Sequence, residues 1–318
     1  MIDQKNIARI LERLADSDQK MNFRNPVSLS NDMKEYLNYY GFVLKDIDYH
    51  FGKIDMNGTK IMVQMFSPET PIGTVILLHG YLDHVGVLKN TIQHLNHYQY
   101  RVISYDLQGH GLSGGEAASV KSFSDYVETL EKLMSKTKQE IPGPFYGIGH
   151  STGGAILINY VLTRRESHFK KMILVAPLVR SHHWYLSKIG FYLMKPVPFV
   201  KKVHRKFRDN SSDKQFTSFI KNDPLQPRAI PVEWVSSLIH WNKEIQTLNP
   251  ATIETLVVQG TNDQTVDWEY NMDFIESKFS HTKVKLIKNG RHHLLNEKPI
   301  IRDQVFEEVV SFLSYECV

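Results

Sequence analysis

The sequence predicts an α/β protein: a mostly parallel central sheet flanked by helices, with a helical segment inserted before one of the last strands. Three observations carry this prediction. Short, continuous apolar runs recur along the chain, as expected of strands buried on both faces. Helix-length amphipathic patterns fill the gaps between most of these runs, which implies right-handed crossovers and a parallel sheet. One gap, of about seventy residues, carries no convincing strand and is too long for a simple loop.

The strands are read in order. "DIDYHFGKIDMNGTKIMVQMFSP" predicts two strands joined at an Asn57-Gly58 turn. "GTVILLHG" (73–80), "YRVISYD" (100–106), "PFYGIGH" (144–150), "KKMILVAPL" (170–178), "IETLVVQG" (253–260) and "TKVKLIK" (282–288) follow. Helices are expected near 87–98, 123–139, 152–165, 268–279 and 298–315. A peripheral amphipathic helix is expected over 2–14, where Ile2, Ile7, Ile10, Leu11 and Leu14 recur at helical spacing.

Composition bounds the function classes. The chain has 318 residues and a formal net charge of +4, which suits one large domain with an insertion or two small ones. At 42% hydrophobic and 23% charged it is ordinary for a globular protein. A single cysteine, Cys317, excludes any intrachain disulfide and is expected to be an incidental tail residue. "MIDQKNIARILERLADSDQK" lacks the apolar core of a secretory signal, and no window approaches 18 uninterrupted apolar residues. A cytoplasmic protein is therefore expected.

The chemistry falls at strand ends, where sites of open α/β sheets lie. The run "PFYGIGH" ends at Ser151, within Gly149-His150-Ser151-Thr152-Gly153. "ETLVVQG" ends in Thr261-Asn262-Asp263, and "TKVKLIK" in Asn289-Gly290-Arg291-His292-His293. The order Ser, Asp, His on separate strand ends suits a serine nucleophile, an imidazole that takes its proton, and a carboxylate that orients the imidazole. The glycines at 149 and 153 allow a sharp strand-to-helix turn. An oxyanion would be held by the backbone N–H of Thr152, at a helix N-terminus, and that of Tyr81, after Gly80. His79 is expected to be a hydrogen-bonding residue of that loop.

These residues resemble the α/β-hydrolase superfamily, in particular its monoacylglycerol lipase and lysophospholipase branch. "VILLHGYLDH", "YRVISYDLQGHGLSGG", "GTNDQTVD" and "GRHHLLNE" are similar to its motifs, from about residue 50 onward; "NDPLQPRAIPVEWV" looks like the return from cap to core. The resemblance implies Ser151 as nucleophile and Asp263 as acid. Asp267, the rival acid, is expected instead to cap the helix starting near Trp268. The register of Leu294, Leu295 and Glu297 implies His292 as base, in preference to His293. The family usually has Glu where this chain has Asp83, a departure expected to alter loop hydrogen bonding only. The implied domains are an N-terminal helical extension (1–45), a core (46–176 and 251–318) and a helical cap (177–250).

The cap carries 12 Lys and Arg against 5 Asp and Glu, a local balance of +7 within a chain of net +4. It also holds "HHWYLSKIGFYLMKPVPFV". Apolar residues beside cations suit an acyl chain inside and an anionic membrane surface outside. Trp184, Tyr185, Phe191 and Tyr192 are expected to line the substrate channel, and Lys201, Lys202, Arg205, Lys206 and Arg208 to meet anionic head groups. The expected activity is hydrolysis of acyl esters of glycerol or lysophospholipids, with no cofactor and no metal. A small-ester esterase or a serine aminopeptidase is the rival, though an ammonium substrate fits a basic cap poorly. A catalytically silent binding module would be expected to have lost members of the Ser-Asp-His set. Nucleic acid is not expected as a partner, because the basic run "KKVHRKFR" is short and no nucleic-acid motif accompanies it.

Overall fold

The computed structural model describes residues 4–164, 167–194 and 201–315. Cys317 lies outside the described residues. In chain order the elements are α1 (Gln4–Asp16), α2 (Asn31–Tyr40), β1 (Ile47–Met56), β2 (Thr59–Pro68), β3 (Gly73–Leu78), α3 (Lys89–His97), β4 (Tyr100–Tyr105), α4 (Phe123–Glu140), β5 (Phe145–His150) and α5 (Thr152–Thr163). They continue with β6 (Lys171–Val175), α6 (Trp184–Met194), β7 (Lys202–His204), α7 (Lys214–Asn222), β8 (Ala229–Pro231), α8 (Val232–Gln246), β9 (Glu254–Gly260), α9 (Trp268–Lys278), β10 (Thr282–Ile287) and α10 (Pro299–Ser314).

The central sheet runs β1-β2-β4-β3-β5-β6-β9-β10. From β4 to β10 every neighbouring pair is parallel; β1 and β2 add an antiparallel edge. The inner strands are continuous apolar runs because both faces are covered. On one face Leu130, Leu133, Ile156 and Ile275, from α4, α5 and α9, pack against the strands. On the other, Leu11, Tyr36, Ile92 and Phe306, from α1, α2, α3 and α10, do the same. The parallel strands therefore all point their carboxyl ends to one rim, where β3, β5, β9 and β10 release the loops of interest.

Sequence patterning did not predict α2. Its signals are local: Ser30 accepts from the Met33 N–H at the N-cap, and Gly41 closes the C-terminus at φ 75°. The segment between β6 and β9 is mainly helical, as expected, but it also contains the antiparallel pair β7–β8. Three residues per strand are too few to show alternation in a sequence. Asp267 stands at the N-cap position of α9, yet its side chain makes no cap hydrogen bond; the turn is held by its backbone instead, with N–H donating to the Arg180 carbonyl at 3.0 Å.

One buried knot joins three parts of the chain. Asp223, after α7, accepts from the Tyr40 hydroxyl of α2 at 2.9 Å. Its other oxygen lies 2.8 Å from His84 Nε2, in the loop after β3. Burial alone would lower the His84 pKa, but the Asp223 charge and hydrogen bond outweigh it and raise the value.

Candidate active site

Ser151 sits at the joint between β5 and α5 with φ 51° and ψ −112°. A non-glycine residue rarely adopts this conformation, and it is held here by surrounding structure. Its N–H donates to the Val175 carbonyl at 3.0 Å, and its carbonyl accepts from Leu178 N–H at 3.1 Å. The flanking glycines are steric requirements. A Cβ on Gly149 would lie 2.4 Å from the Gly153 carbonyl carbon, and one on Gly153 would lie 2.4 Å from the Leu78 carbonyl oxygen. The helix can follow the strand this closely only without side chains at both positions.

The structure brings Ser151, His292 and Asp263 together from three strand ends. His292 Nε2 lies 3.0 Å from Ser151 Oγ, and His292 Nδ1 lies 2.8 Å from Asp263 Oδ2. With the imidazole neutral and protonated on Nδ1, the serine hydroxyl donates to Nε2. Asp263 also accepts from the N–H groups of Thr265 at 2.8 Å and Val266 at 3.3 Å, and from Gln259 Nε2 at 3.2 Å. Burial pushes the Asp263 carboxyl upward, but His292 and these donors prevail and hold it at about 2. Asp263 is therefore an anion throughout the neutral range.

His293 is turned away from Ser151. Its Nε2 lies 3.7 Å from Asp83 Oδ2, and its ring packs against Phe216. Among the described residues Asp267 makes no hydrogen bond or ion pair with either histidine; its backbone belongs to the start of α9. His79 is buried and bridges two loops, with Nδ1 2.7 Å from the Gly80 carbonyl oxygen and Nε2 accepting from Leu107 N–H at 2.9 Å. The backbone N–H groups of Tyr81 and Thr152 flank Ser151. Among the described residues neither N–H donates a hydrogen bond, and both residues line the cavity that holds Ser151. The Tyr81 side chain is fixed by its hydroxyl, donating to the Ala118 carbonyl at 2.7 Å, and by stacking on Trp234 at 3.6 Å.

A cavity of about 480 Å³ opens onto Ser151. Leu178, Trp184, Ile230, Trp234, Leu238 and Val266 form much of its apolar wall, and Arg205, Lys206, Arg208 and Lys221 add cations. Of the four cap aromatics expected to line it, only Trp184 does. Phe191 is buried elsewhere, while Tyr185 and Tyr192 point outward at 66% and 55% exposure. The pattern had shown one apolar stretch; helix phase divides it. Trp184 and Phe191 face inward, and Tyr185, Leu186, Ile189, Tyr192 and Leu193 form an exposed apolar stripe. Tyr81, Phe207, Phe216 and Trp234, which the sequence did not mark as lining residues, add further aromatic rings to the wall.

The five basic residues of "KKVHRKFR" are also divided. Lys202 pairs with Glu116 at 3.5 Å, and Arg208 donates to the Gln264 carbonyl at 3.3 Å. Arg205 turns inward, donating to Gln226 Oε1 at 2.7 Å and lying over the Phe207 ring. Glu297 was matched in sequence only to set a register, yet it is fully buried. It accepts from the N–H groups of Arg291 and Ser212, at 2.8 and 2.7 Å, tying the histidine loop to the inserted segment.

A family model described as "Serine aminopeptidase, S33" matches residues 69–299. A monoglyceride lipase of Rattus norvegicus is 27% identical over 271 residues, covering 82% of this chain and 89% of its own length. A monoacylglycerol lipase of Mycolicibacterium smegmatis is 27% identical over 270 residues, covering 81% and 95%. A solved structure of a soluble variant of the Saccharomyces cerevisiae monoglyceride lipase superposes with a TM-score of 0.74 at 21% identity, covering 86% of this chain and 97% of that one. With the model spanning well over half its length, the chain belongs to the serine aminopeptidase S33 family and is an α/β-hydrolase of the monoacylglycerol lipase branch.

Proposed function

We propose that the protein hydrolyses acyl esters of glycerol or lysophospholipids through Ser151, His292 and Asp263. The observation that carries this reading is the continuous hydrogen-bonded path from Asp263 through His292 to Ser151 Oγ, at 2.8 and 3.0 Å, facing an apolar cavity. His292 Nε2 takes the hydroxyl proton as Oγ attacks the ester carbonyl carbon. The carbonyl oxygen gains charge between the N–H groups of Tyr81 and Thr152. His292 returns the proton to the departing alcohol, leaving an acyl group on Ser151. Water, deprotonated by His292, then attacks the acyl carbon, and the proton goes back to Ser151 as the fatty acid leaves.

Residues 177–250 act in this reading as the cap that admits the acyl chain. No helix among the described residues is long and apolar enough to cross a membrane. The α6 stripe supports peripheral contact better than the basic run does, because three of those five cations are already engaged within the protein. Leu186 and Leu193, two turns apart on one helical face, are 66% and 71% exposed. Such a face lowers its free energy by entering the acyl boundary of a bilayer. The cavity's cations disfavour an ammonium-bearing peptide substrate.

The test is turnover of a panel: p-nitrophenyl acetate and longer p-nitrophenyl esters, monoacylglycerols, lysophosphatidylcholine and aminoacyl p-nitroanilides. The reading expects long-chain esters to exceed acetyl esters in kcat/KM, and no anilide turnover. Preferential cleavage of the anilides would overturn it.

A further inference from the structure

Beside Ser151 lies a second polar group that the proposed reaction does not use. Asp83 comes from the loop after β3, His150 from the end of β5, and His293 from the loop after β10. All three are buried, and one ligating atom from each lies within 4.8 Å of the other two. The Asp83 oxygen Oδ1 has no hydrogen-bond partner, in a residue that is only 3% exposed. Its Oδ2 is 3.7 Å from His293 Nε2, beyond hydrogen-bond distance. An under-bonded buried carboxylate is costly, and such a group needs a reason.

The histidines are prepared as lone-pair donors. His150 Nε2 lies 3.0 Å from the His292 carbonyl oxygen and donates to it. That fixes the tautomer and leaves Nδ1 unprotonated, as a backbone carbonyl does for many metal-bound imidazoles. Nδ1 faces the same point as Asp83: a Cβ built on Gly80 would be 2.9 Å from His150 Nδ1 and 3.4 Å from Asp83 Oδ2. Burial, with neighbouring histidines adding to it, lowers the pKa of both His150 and His293 to about 3. Both are neutral at ordinary pH. Burial raises Asp83, against the pull of His150, Arg205 and His84.

We propose that Asp83, His150 and His293 form a divalent transition-metal site, suited to Zn²⁺, whose fourth position opens onto the cavity. Two imidazoles and one carboxylate are a zinc donor set, and three protein ligands with one open position is its usual non-structural form. Zinc–ligand bonds of about 2.0–2.2 Å set tetrahedral ligand atoms roughly 3.5 Å apart. The trio, with ligand atoms within 4.8 Å of one another and the Asp83–His293 pair already at 3.7 Å, needs only a small closure around the ion. Arg205 opposes the ion's charge and favours reversible occupancy over a permanent structural metal.

One consequence rests on the proposed hydrolase reading. The His150 ring centroid is 5.0 Å from that of His292. A dication there raises the free energy of the imidazolium that His292 must become, so occupancy inhibits hydrolysis.

The experiment uses the intact, chelator-treated protein titrated with Zn²⁺ against a chromophoric zinc indicator. One ion per chain is expected, with affinity at least about tenfold weaker in Asp83→Asn and in His293→Gln. Circular dichroism establishes that each variant is folded; if Asp83→Asn does not fold, His293→Gln carries the comparison. No stoichiometric binding, or equal binding by wild type and His293→Gln, overturns the site; the latter would place zinc elsewhere, for example at the His182–His183 pair. In parallel, Zn²⁺ should inhibit p-nitrophenyl butyrate hydrolysis reversibly in wild type and much less in His293→Gln. Binding without inhibition overturns the regulatory consequence alone. If wild type hydrolyses no ester, the hydrolase reading fails while the titration still decides the metal site.

Discussion

The strand-end loops and the inserted segment solve opposite problems. At the ends of β5, β9 and β10 the side chains of Ser151, Asp263 and His292 are buried, and each is held by at least one hydrogen bond of 2.8–3.0 Å. Along α6, five large apolar side chains stand in solvent. A reacting centre must be ordered before substrate arrives, so it is built where backbone is rigid and desolvated. A surface that takes up a lipid gains from what it has left uncovered. Under the proposed function, order at one place serves chemistry and uncovered apolar area at the other serves capture.

Substitutions should separate these two roles, and the largest effects belong to the strand ends. Ser151→Ala should cost about a million-fold in kcat while leaving the melting temperature near wild type. A mutant keeping a tenth of the activity would remove Ser151 from the mechanism. A fluorophosphonate probe should label wild type and miss the mutant. His292→Ala should lose activity on a similar scale, whereas His293→Ala should stay within about tenfold of wild type, since only His292 reaches Ser151. The reverse ranking would break the register inferred from "HHLLNE". Asp263→Asn should cost about ten-thousand-fold, because an amide cannot hold the imidazole in its working tautomer.

The inserted segment should yield smaller, substrate-dependent losses. Replacing Leu186, Ile189 and Leu193 together by Ser should lower turnover of vesicle-borne monoacylglycerol about tenfold and leave soluble p-nitrophenyl butyrate unaffected. Equal losses on both substrates would mean that α6 serves the fold rather than capture.

The smallest expected effect is a slope. Burial lowers His150 and His293 to about 3 and His110 to about 4. Their unfolded forms take up protons below about 6.5, while the folded forms resist until far lower pH. Their contribution to stability is therefore complete above about 6.5 and lost progressively as pH falls toward 3. His84, raised beside Asp223, has the opposite sign: its contribution is complete below about 6.5 and lost as pH rises through its folded value. The melting temperature should fall on acidification, and less steeply in His293→Gln. An unchanged slope in that variant would contradict the burial assigned to His293.

Much of the site was legible because its determinants are local. Ser151 is marked by the two glycines its turn requires and Asp263 by its place just past an apolar run; the preference for His292 over His293 comes from the register that the family resemblance implies. What escaped was three-dimensional. Tyr185 and Tyr192 share a stretch with Trp184, and only helix phase sends them outward. Asp83, His150 and His293 are far apart in sequence, with no spacing to connect them, so their meeting at one buried point was not foreseen. β7 and β8 are too short to show a period. The α2 helix was not read from the sequence, although Met33, Tyr36, Leu37 and Tyr40 fall at helical spacing between the caps Ser30 and Gly41.

The knot at Asp223 has a mechanical meaning. It fastens the chain just after α7 to the core through His84 and to α2 through Tyr40, with every partner out of reach of water. The segment is thus fastened like a door at α7 through buried side chains, while the face of α6 that carries Leu186, Ile189 and Leu193 stands exposed. The N-terminal helices, which lie outside the matched 69–299, become part of the door frame. Hydrogen exchange should find the amides around 220–226 slow and those of 184–193 fast, and Tyr40→Phe should quicken the former. Uniform exchange across the whole segment would mean that it moves as one loose flap with no pivot.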